Sequence, residues 1–194
     1  MAITKLDLTK AMSGTLPRAN GGSDIVLLSQ ASSTTAVGSI DFTTSSDYDD
    51  YMLSMTLIPV TDNSHITFRV LVDGSPQTTV GDYAYGTTRT DGTAFGNAAT
   101  SNGDSRMYMH TSYGAGNGTD EGLSFNMHMI NINSTNKPKD FFWNISMDNT
   151  SNNHLGHVGN GRYNSNANVI SGIRFAQSSG NISRYDYRFY GLRK

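Results

Sequence analysis

The longest run of regular alternation in the chain lies between Tyr48 and Gly74. Tyr51, Leu53, Met55 and Leu57 fall on one side and Ser54 and Thr56 on the other; after a polar break, Ile66, Phe68, Val70 and Val72 alternate with Thr67 and Arg69. A period of two, in residues rich in β-branched and aromatic types, predicts two half-buried strands. Pro59, Asp62, Asn63 and Ser64 between them supply turn chemistry, because Pro fixes φ and Asx side chains cap their own backbone. The two strands are expected to pair as a long antiparallel hairpin whose single apolar face must be covered by something else.

Weaker copies of the same pattern run through the rest of the chain. Ile25–Ser29, Val37–Phe42, Asp82–Gly86, the Met107/Met109 pair, Leu123–Met129 and Phe141–Ile145 each read as a strand, and Val169–Gln177 and Arg184–Leu192 flank the link Ser178–Asn181 as a terminal hairpin. About nine or ten strands separated by polar turns, with no repeat period and no helical periodicity, predict an all-β fold: one antiparallel β-sandwich with Greek-key or jelly-roll connections. Three stretches, 86–104, 111–122 and 148–168, are dominated by turn formers and read as loops, with Phe95 the lone large apolar residue of the first.

Residues 1–24 differ from the rest of the chain. Gly14, Pro17, Gly21 and Gly22 break any regular element, so Ile3, Leu6, Leu8, Met12 and Leu16 have no local surface to pack on. The division expected is an N-terminal arm, 1–24, followed by a β-sandwich domain, 25–194. The arm is either disordered or docked on a neighbour, and docking would need backbone hydrogen bonds, most simply by strand addition to a sheet edge.

Composition narrows the functional classes. Charged residues make up 15% of the chain and the formal net charge is −2, which gives no electrostatic reason to expect nucleic acid or an anionic membrane as partner. With no Cys, disulfides, zinc ribbons and thiol nucleophiles are excluded. The start of the chain lacks the apolar core of a signal peptide and no run of 18 apolar residues occurs, so synthesis in the host cytoplasm as a soluble protein is expected. His154 and His157, with Asp148 nearby, and the acidic group Asp47, Asp49 and Asp50 are candidate metal ligands, but the Gly- and Asn-rich flanks and the lack of EF-hand spacing favour solvated loop residues. No Gly-x-Ser-x-Gly elbow occurs and Glu121 is the only glutamate, so no catalytic residue, metal or cofactor is assigned and a non-enzymatic role is expected. Tyr83, Tyr85, Phe95, Tyr113 and Tyr163, with Tyr108, lie in or beside the Gly/Asn-rich stretches, a mixture suited to stacking on carbohydrate with Asn97, Asn102 and Asn117 as polar partners.

The arm segment Gly14-Thr15-Leu16-Pro17-Arg18-Ala19-Asn20-Gly21-Gly22 resembles a string found in many tailed-bacteriophage fibre and appendage proteins. The closing sequence ISGIRFAQSSGNISRYDYRFYGLRK and the span FTTSSDYDDYMLSMTLIPVTDNSHITFRVLVDGS are similar to strands of small virion structural proteins of marine phages. Where the fibre string continues with Gly-Thr-Gly, this chain has Ser23-Asp24, a departure from a repeated fibre shaft. The resemblance implies a virion structural protein with a jelly-roll or concanavalin-like sandwich, attached to capsid or tail by its arm as a decoration protein or a short fibre or collar element. It also implies several copies, a homo-oligomer with the trimer favoured, with Pro17 part of the arm motif. The other class open at this point is a lectin-like module that binds host-surface glycan through the three loops.

Overall fold

In the computed structural model, which describes residues 24–91, 95–165 and 168–193, the alternation of bulky and polar residues is used to face two sheets against each other. Among the described residues there are thirteen strands and no helix. They are β1 (Ile25–Ser33), β2 (Ile40–Thr43), β3 (Tyr48–Pro59), β4 (Ile66–Val72), β5 (Ser75–Pro76), β6 (Tyr83–Thr90), β7 (Phe95–Asp104), β8 (Met107–Tyr108), β9 (Gly122–Ile130), β10 (Lys139–Asp148), β11 (His154–Tyr163), β12 (Gly172–Gln177) and β13 (Ile182–Arg193). The large sheet has the order β1-β13-β3-β9-β10-β11-β6-β7; the small one has the order β2-β12-β4-β5, with β8 also pairing β4. Every pairing is antiparallel, and the non-sequential neighbours β13–β3 and β3–β9 make this a sandwich of jelly-roll type. The all-β sandwich predicted from periodicity is what forms.

Three local expectations are corrected. First, β3 and β4 do not pair: they lie in different sheets, and the link Val60–His65, with Asn63 in the left-handed region at φ 58°, carries the chain across. Each has one apolar face, and both faces are buried between the sheets, Phe68 of β4 lying against β10. Their backbones find partners elsewhere, β3 in β13 and β9, β4 in β12, β5 and β8. Second, β12 and β13 are likewise split between the sheets, with Gly180 at φ 69° in the link, so the terminal hairpin does not exist. Third, two of the expected loops are strands. The 86–104 stretch contributes to the β6–β7 hairpin, and the 148–168 stretch contains β11, which fills the gap between β10 and β6. Backbone ladders form without large side chains provided that neighbouring strands supply the core, and at Gly159 the reason for a small residue is visible. A Cβ there would overlap the indole of Trp143 on β10. The 111–122 stretch keeps its looped character up to Gly122, where β9 begins; Ala115 bridges to Ser64 and Asn149, and the Gly116 N–H donates to the Asp148 carbonyl of β10 at 3.0 Å.

The core is an aromatic seam between the sheets. Phe175 of β12 meets Phe125 of β9 at 5.5 Å between ring centroids, Phe68 of β4 meets Phe141 at 5.1 Å and Trp143 at 5.8 Å on β10, and Phe42 of β2 meets Tyr187 at 4.8 Å and Phe189 at 5.1 Å on β13. These separations are those of offset and edge-to-face pairs. Where the small sheet ends, the segment Met107–Ala115 covers the inner face of the large one. Met107 lies against Gly161, and the Met109 carbonyl accepts the indole N–H of Trp143 at 3.0 Å. The arm residues Ile3, Leu6, Leu8, Met12, Leu16 and Pro17 lie outside the described residues.

The packing at Gly159 makes a prediction. Gly159→Ala forces the buried indole to move and should destabilise the fold by about 1–3 kcal/mol, whereas Gly96→Ala, with nothing within 4 Å of the added Cβ, should change stability by less than about 0.5 kcal/mol. Urea unfolding monitored by circular dichroism separates the two; equal midpoints would show that the indole does not constrain β11.

Candidate functional site

Among the described side chains, the loop aromatics singled out from the sequence do not form one exposed site. Tyr83 and Tyr163 are wholly buried and packed together at 5.3 Å, because alternate residues of β6 and β11 point into the core. The Tyr83 hydroxyl accepts the Val70 N–H at 3.1 Å and donates to the Gln77 carbonyl at 2.9 Å, tying the large sheet to the small one. Tyr85 is half-buried and donates to Asp104 at 3.2 Å; burial and that carboxylate push its phenol up. The Phe95 backbone belongs to β7, while its side chain is outside the described residues. Of the four whose side chains are described, Tyr113 is the most exposed, at 44%, with the Arg89 guanidinium 4.7 Å from its centroid. Asn102 is exposed on β7, and Asn117 donates to the Val60 carbonyl at 3.0 Å.

The candidate metal ligands are also separated. His154 and His157 are three apart on β11, which puts them on opposite faces of the sheet. His154 is exposed and 3.1 Å from Asp148 across the β10–β11 ladder, whereas His157 is buried, contrary to the expectation of a solvated loop residue. Asp47 bonds its neighbour Ser45 and Asp50 accepts the Asn131 N–H at 2.8 Å, so these acids organise the loop before β3. Among the described residues no group of three His, Cys, Asp or Glu side chains is placed to hold a metal ion.

What the sequence did not reveal is a cluster of three histidines at one end of the sandwich. His110 is fully buried; its Nε2 accepts the Ile66 N–H at 3.2 Å, which leaves Nδ1 to donate to the Tyr113 carbonyl at 2.9 Å and fixes a neutral tautomer. His65 Nδ1 is 3.4 Å from His110 Nδ1, and the His157 ring is 5.5 Å from that of His110. Burial pushes His110 down to about 3, with the neighbouring His65 adding repulsion, and pushes His157 down to about 4, with Arg89 adding to the effect. Burial lowers His65 as well. All three are neutral at pH 7. Nothing in the local sequence marks His110, whose neighbours Met107 and Met109 supply the strand signal instead.

The outer face of the large sheet is not covered by any other described element. Register places side chains from successive strands in rows that run across it: Met52, His128, Phe142, Asn160 and Gly86 in one row, and Ser54, Asn126, Asn144, Val158 and Thr88 in the next. Adjacent rows are two residues apart along each strand, roughly 7 Å. Between them lies a depression of about 670 Å³, from which Phe142 and Val158 stand 49% and 61% exposed. It adjoins depressions of about 620 Å³ on the side of Tyr85 and Arg162 and about 210 Å³ on the side of Ser54 and Ser124, so the trough continues across the strands. The residues lining the central depression include no Asp, Glu, Lys or Arg. A separate depression of about 730 Å³ beside β1, β3 and β13 is charged, with Asp120, Glu121, Arg184 and Asp186.

Comparison with known proteins adds little to this geometry. No family model matches the chain, and no curated protein is similar to it. Among solved structures, the galectin LEC-6 of Caenorhabditis elegans is similar over 84% of this chain and 96% of that one, at 13% identity and a TM-score of 0.31.

The histidine cluster predicts an acid-sensitive fold. Each folded-state value lies below the unfolded value of about 6.5, so below that pH the unfolded chain binds more protons and stability falls as pH drops. The loss runs from about pH 6.5 down to about 4 for His157 and about 3 for His110. Because neither ring nitrogen of His157 has a hydrogen-bond partner among the described residues, His157→Leu should be no less stable at pH 7 and should flatten the loss between pH 6.5 and 4. Urea midpoints across that range check it; an unchanged acid slope would place the proton-linked loss elsewhere.

Proposed function

We propose that the chain is a non-enzymatic structural component of a tailed-phage virion: a β-sandwich module held to capsid or tail through residues 1–24 and used in several copies, with a homotrimer favoured. The observation that carries this reading is where the arm joins the sandwich. Residue 24 leads into β1, the margin strand of the large sheet, which among the described residues has a strand neighbour on one side only, β13. At that margin Ile25 and Leu27 are 47% and 46% exposed, and the Arg193 N–H donates to the Asp24 carbonyl at 2.9 Å, so both ends of the sandwich leave from one corner. A margin strand with exposed apolar side chains is suited to strand addition, which supplies the backbone hydrogen bonds that a Gly- and Pro-broken arm cannot make by itself.

Strands β13 and β3 separate this margin from the central depression, which lies over β9, β10, β11 and β6 toward the other margin. An attachment edge at one side and a presented face at the other is the arrangement expected of a decoration protein or a short fibre or collar element. The lectin-like alternative in its loop-rim form loses its support, because Tyr83 and Tyr163 are core residues.

Two measurements test the proposal. Proteomics of purified particles should find the chain, at hundreds of copies if it decorates the capsid and about a dozen if it belongs to the tail. A shortened chain beginning at Ser23 should fold as a soluble β protein, yet neither assemble nor bind particles. Absence from purified virions, or a shortened chain that assembles and binds like the full-length one, would refute it.

A further inference from the structure

The outer face of the large sheet has features that neither the core nor the attachment margin requires. Phe142 and Val158 project from the centre of the face, where a sheet of this kind ordinarily presents polar side chains. Around them, Asn126, His128, Asn144 and Asn160 are exposed, and among the described residues none of the four has a side-chain hydrogen bond. Gly86 lies in the same row as Phe142 and Asn160; a Cβ there would meet only Thr100 Cγ2, at 3.9 Å. Packing against the described residues therefore does not demand glycine at that position, in contrast to Gly159, and without a side chain there the trough is open over β6.

We propose that this face binds an extended, uncharged oligosaccharide, laid across β9, β10, β11 and β6 with one sugar ring stacked on Phe142. The occupant is chosen by chemistry. A pyranose presents an apolar C–H face and an edge of neighbouring hydroxyls that both donate and accept. An exposed phenyl ring takes the first, and carboxamides, each with an acceptor oxygen and a two-proton donor, take the second. Strands lie about 4.8 Å apart, close to the rise of a sugar along an extended glycan, so a chain laid across them passes the amides of Asn126 on β9, Asn144 on β10 and Asn160 on β11 in turn.

Other occupants fit less well. Nucleic acid and acidic polysaccharide need Lys or Arg, and neither lines the central depression; at its Tyr85 side Arg162 is already held by Asp140 at 2.7 Å. A protein partner would bury a contiguous apolar centre, whereas here two apolar side chains stand in a frame of amides and hydroxyls. The inference does not rest on the virion reading: it concerns a face at the far side of the sheet from the attachment margin, and particle incorporation and glycan binding are lost by different variants.

The experiment uses the full chain with neutral hexasaccharides of the cello, laminari, manno and agaro series at millimolar concentration, and an oligoguluronate as acidic control. Binding is read by calorimetry and, as a secondary signal, by the emission of Trp143, the chain's one tryptophan, whose backbone lines the trough and whose indole lies on the core side of the sheet beneath it. At least one neutral hexasaccharide should bind, Phe142→Ala should weaken it about tenfold or more, and Tyr113→Ala should leave it unchanged. Asn144→Ala and Asn160→Ala, at exposed positions where folding is not at stake, should each weaken it as well, and they decide the matter if Phe142→Ala misfolds. Binding of none of the neutral sugars, binding of the acidic control alone, or binding untouched by the face variants would overturn the proposal.

Discussion

The structure depends on one contact: two sheets of unequal width held together by a seam of aromatic rings. Phe175 sits at its centre, within 5.5–5.7 Å of Phe42, Phe68 and Phe125, so one side chain of the small sheet links two of its neighbours and the opposite sheet. With no disulfides in the chain, burial of these rings and of Tyr51, Leu53, Met55 and Leu57 beside them is the main driving force for folding. Unequal width then has a consequence. Toward β11 and β6 the cover comes from the two-residue β8 and the irregular chain after it, Met109 to Ala115, which brings His110 over His157 and seals the Trp143 indole. The acid sensitivity and the geometry of that end both follow from this substitution of irregular chain for sheet.

The outward side of the large sheet is governed by a different balance. Its chemistry is that of amides, hydroxyls and a few apolar groups, with little net charge, and its ordering comes from register rather than from local sequence. Asn126, Asn144 and Val158 are neighbours because β9, β10 and β11 align residue for residue, and a slip of one position in any of these strands would turn its row into the core. The inner seam therefore fixes the outer surface: the same alternation that buries Phe125, Trp143 and Ile145 presents Asn126, Phe142 and Asn144.

Much of this was legible in the sequence, and the parts that were not share a physical cause. β3, β9 and β10 announce themselves because bulky residues alternate with polar ones at every second position. β7 and β11 do not, since Gly and Asn dominate them and a ladder needs only backbone groups; their strand character is imposed by the neighbours they pair with. Periodicity also reports which side of a strand is apolar but not which strand it pairs with, and so β3–β4 and β12–β13 read as hairpins when they are crossings between sheets. The candidate site was hidden for a related reason: Phe142 and Asn160 belong to segments 18 positions apart in the chain, and the trough exists only once β10 and β11 are in register. Tyr83 and Tyr163 misled in the opposite sense, their Gly- and Asn-rich surroundings masking inward-facing strand positions.

If the β1 margin is the side of attachment, the Phe142 face is the side presented to the surroundings. A density map of the particle, at a resolution that distinguishes strands, tests this most directly. It should show the sandwich in multiple copies, with residue 24 and β1 against capsid or tail and with the outer faces of β9, β10, β11 and β6 open to solvent. A map in which the Phe142 face is buried against the particle while β1 faces outward would contradict it.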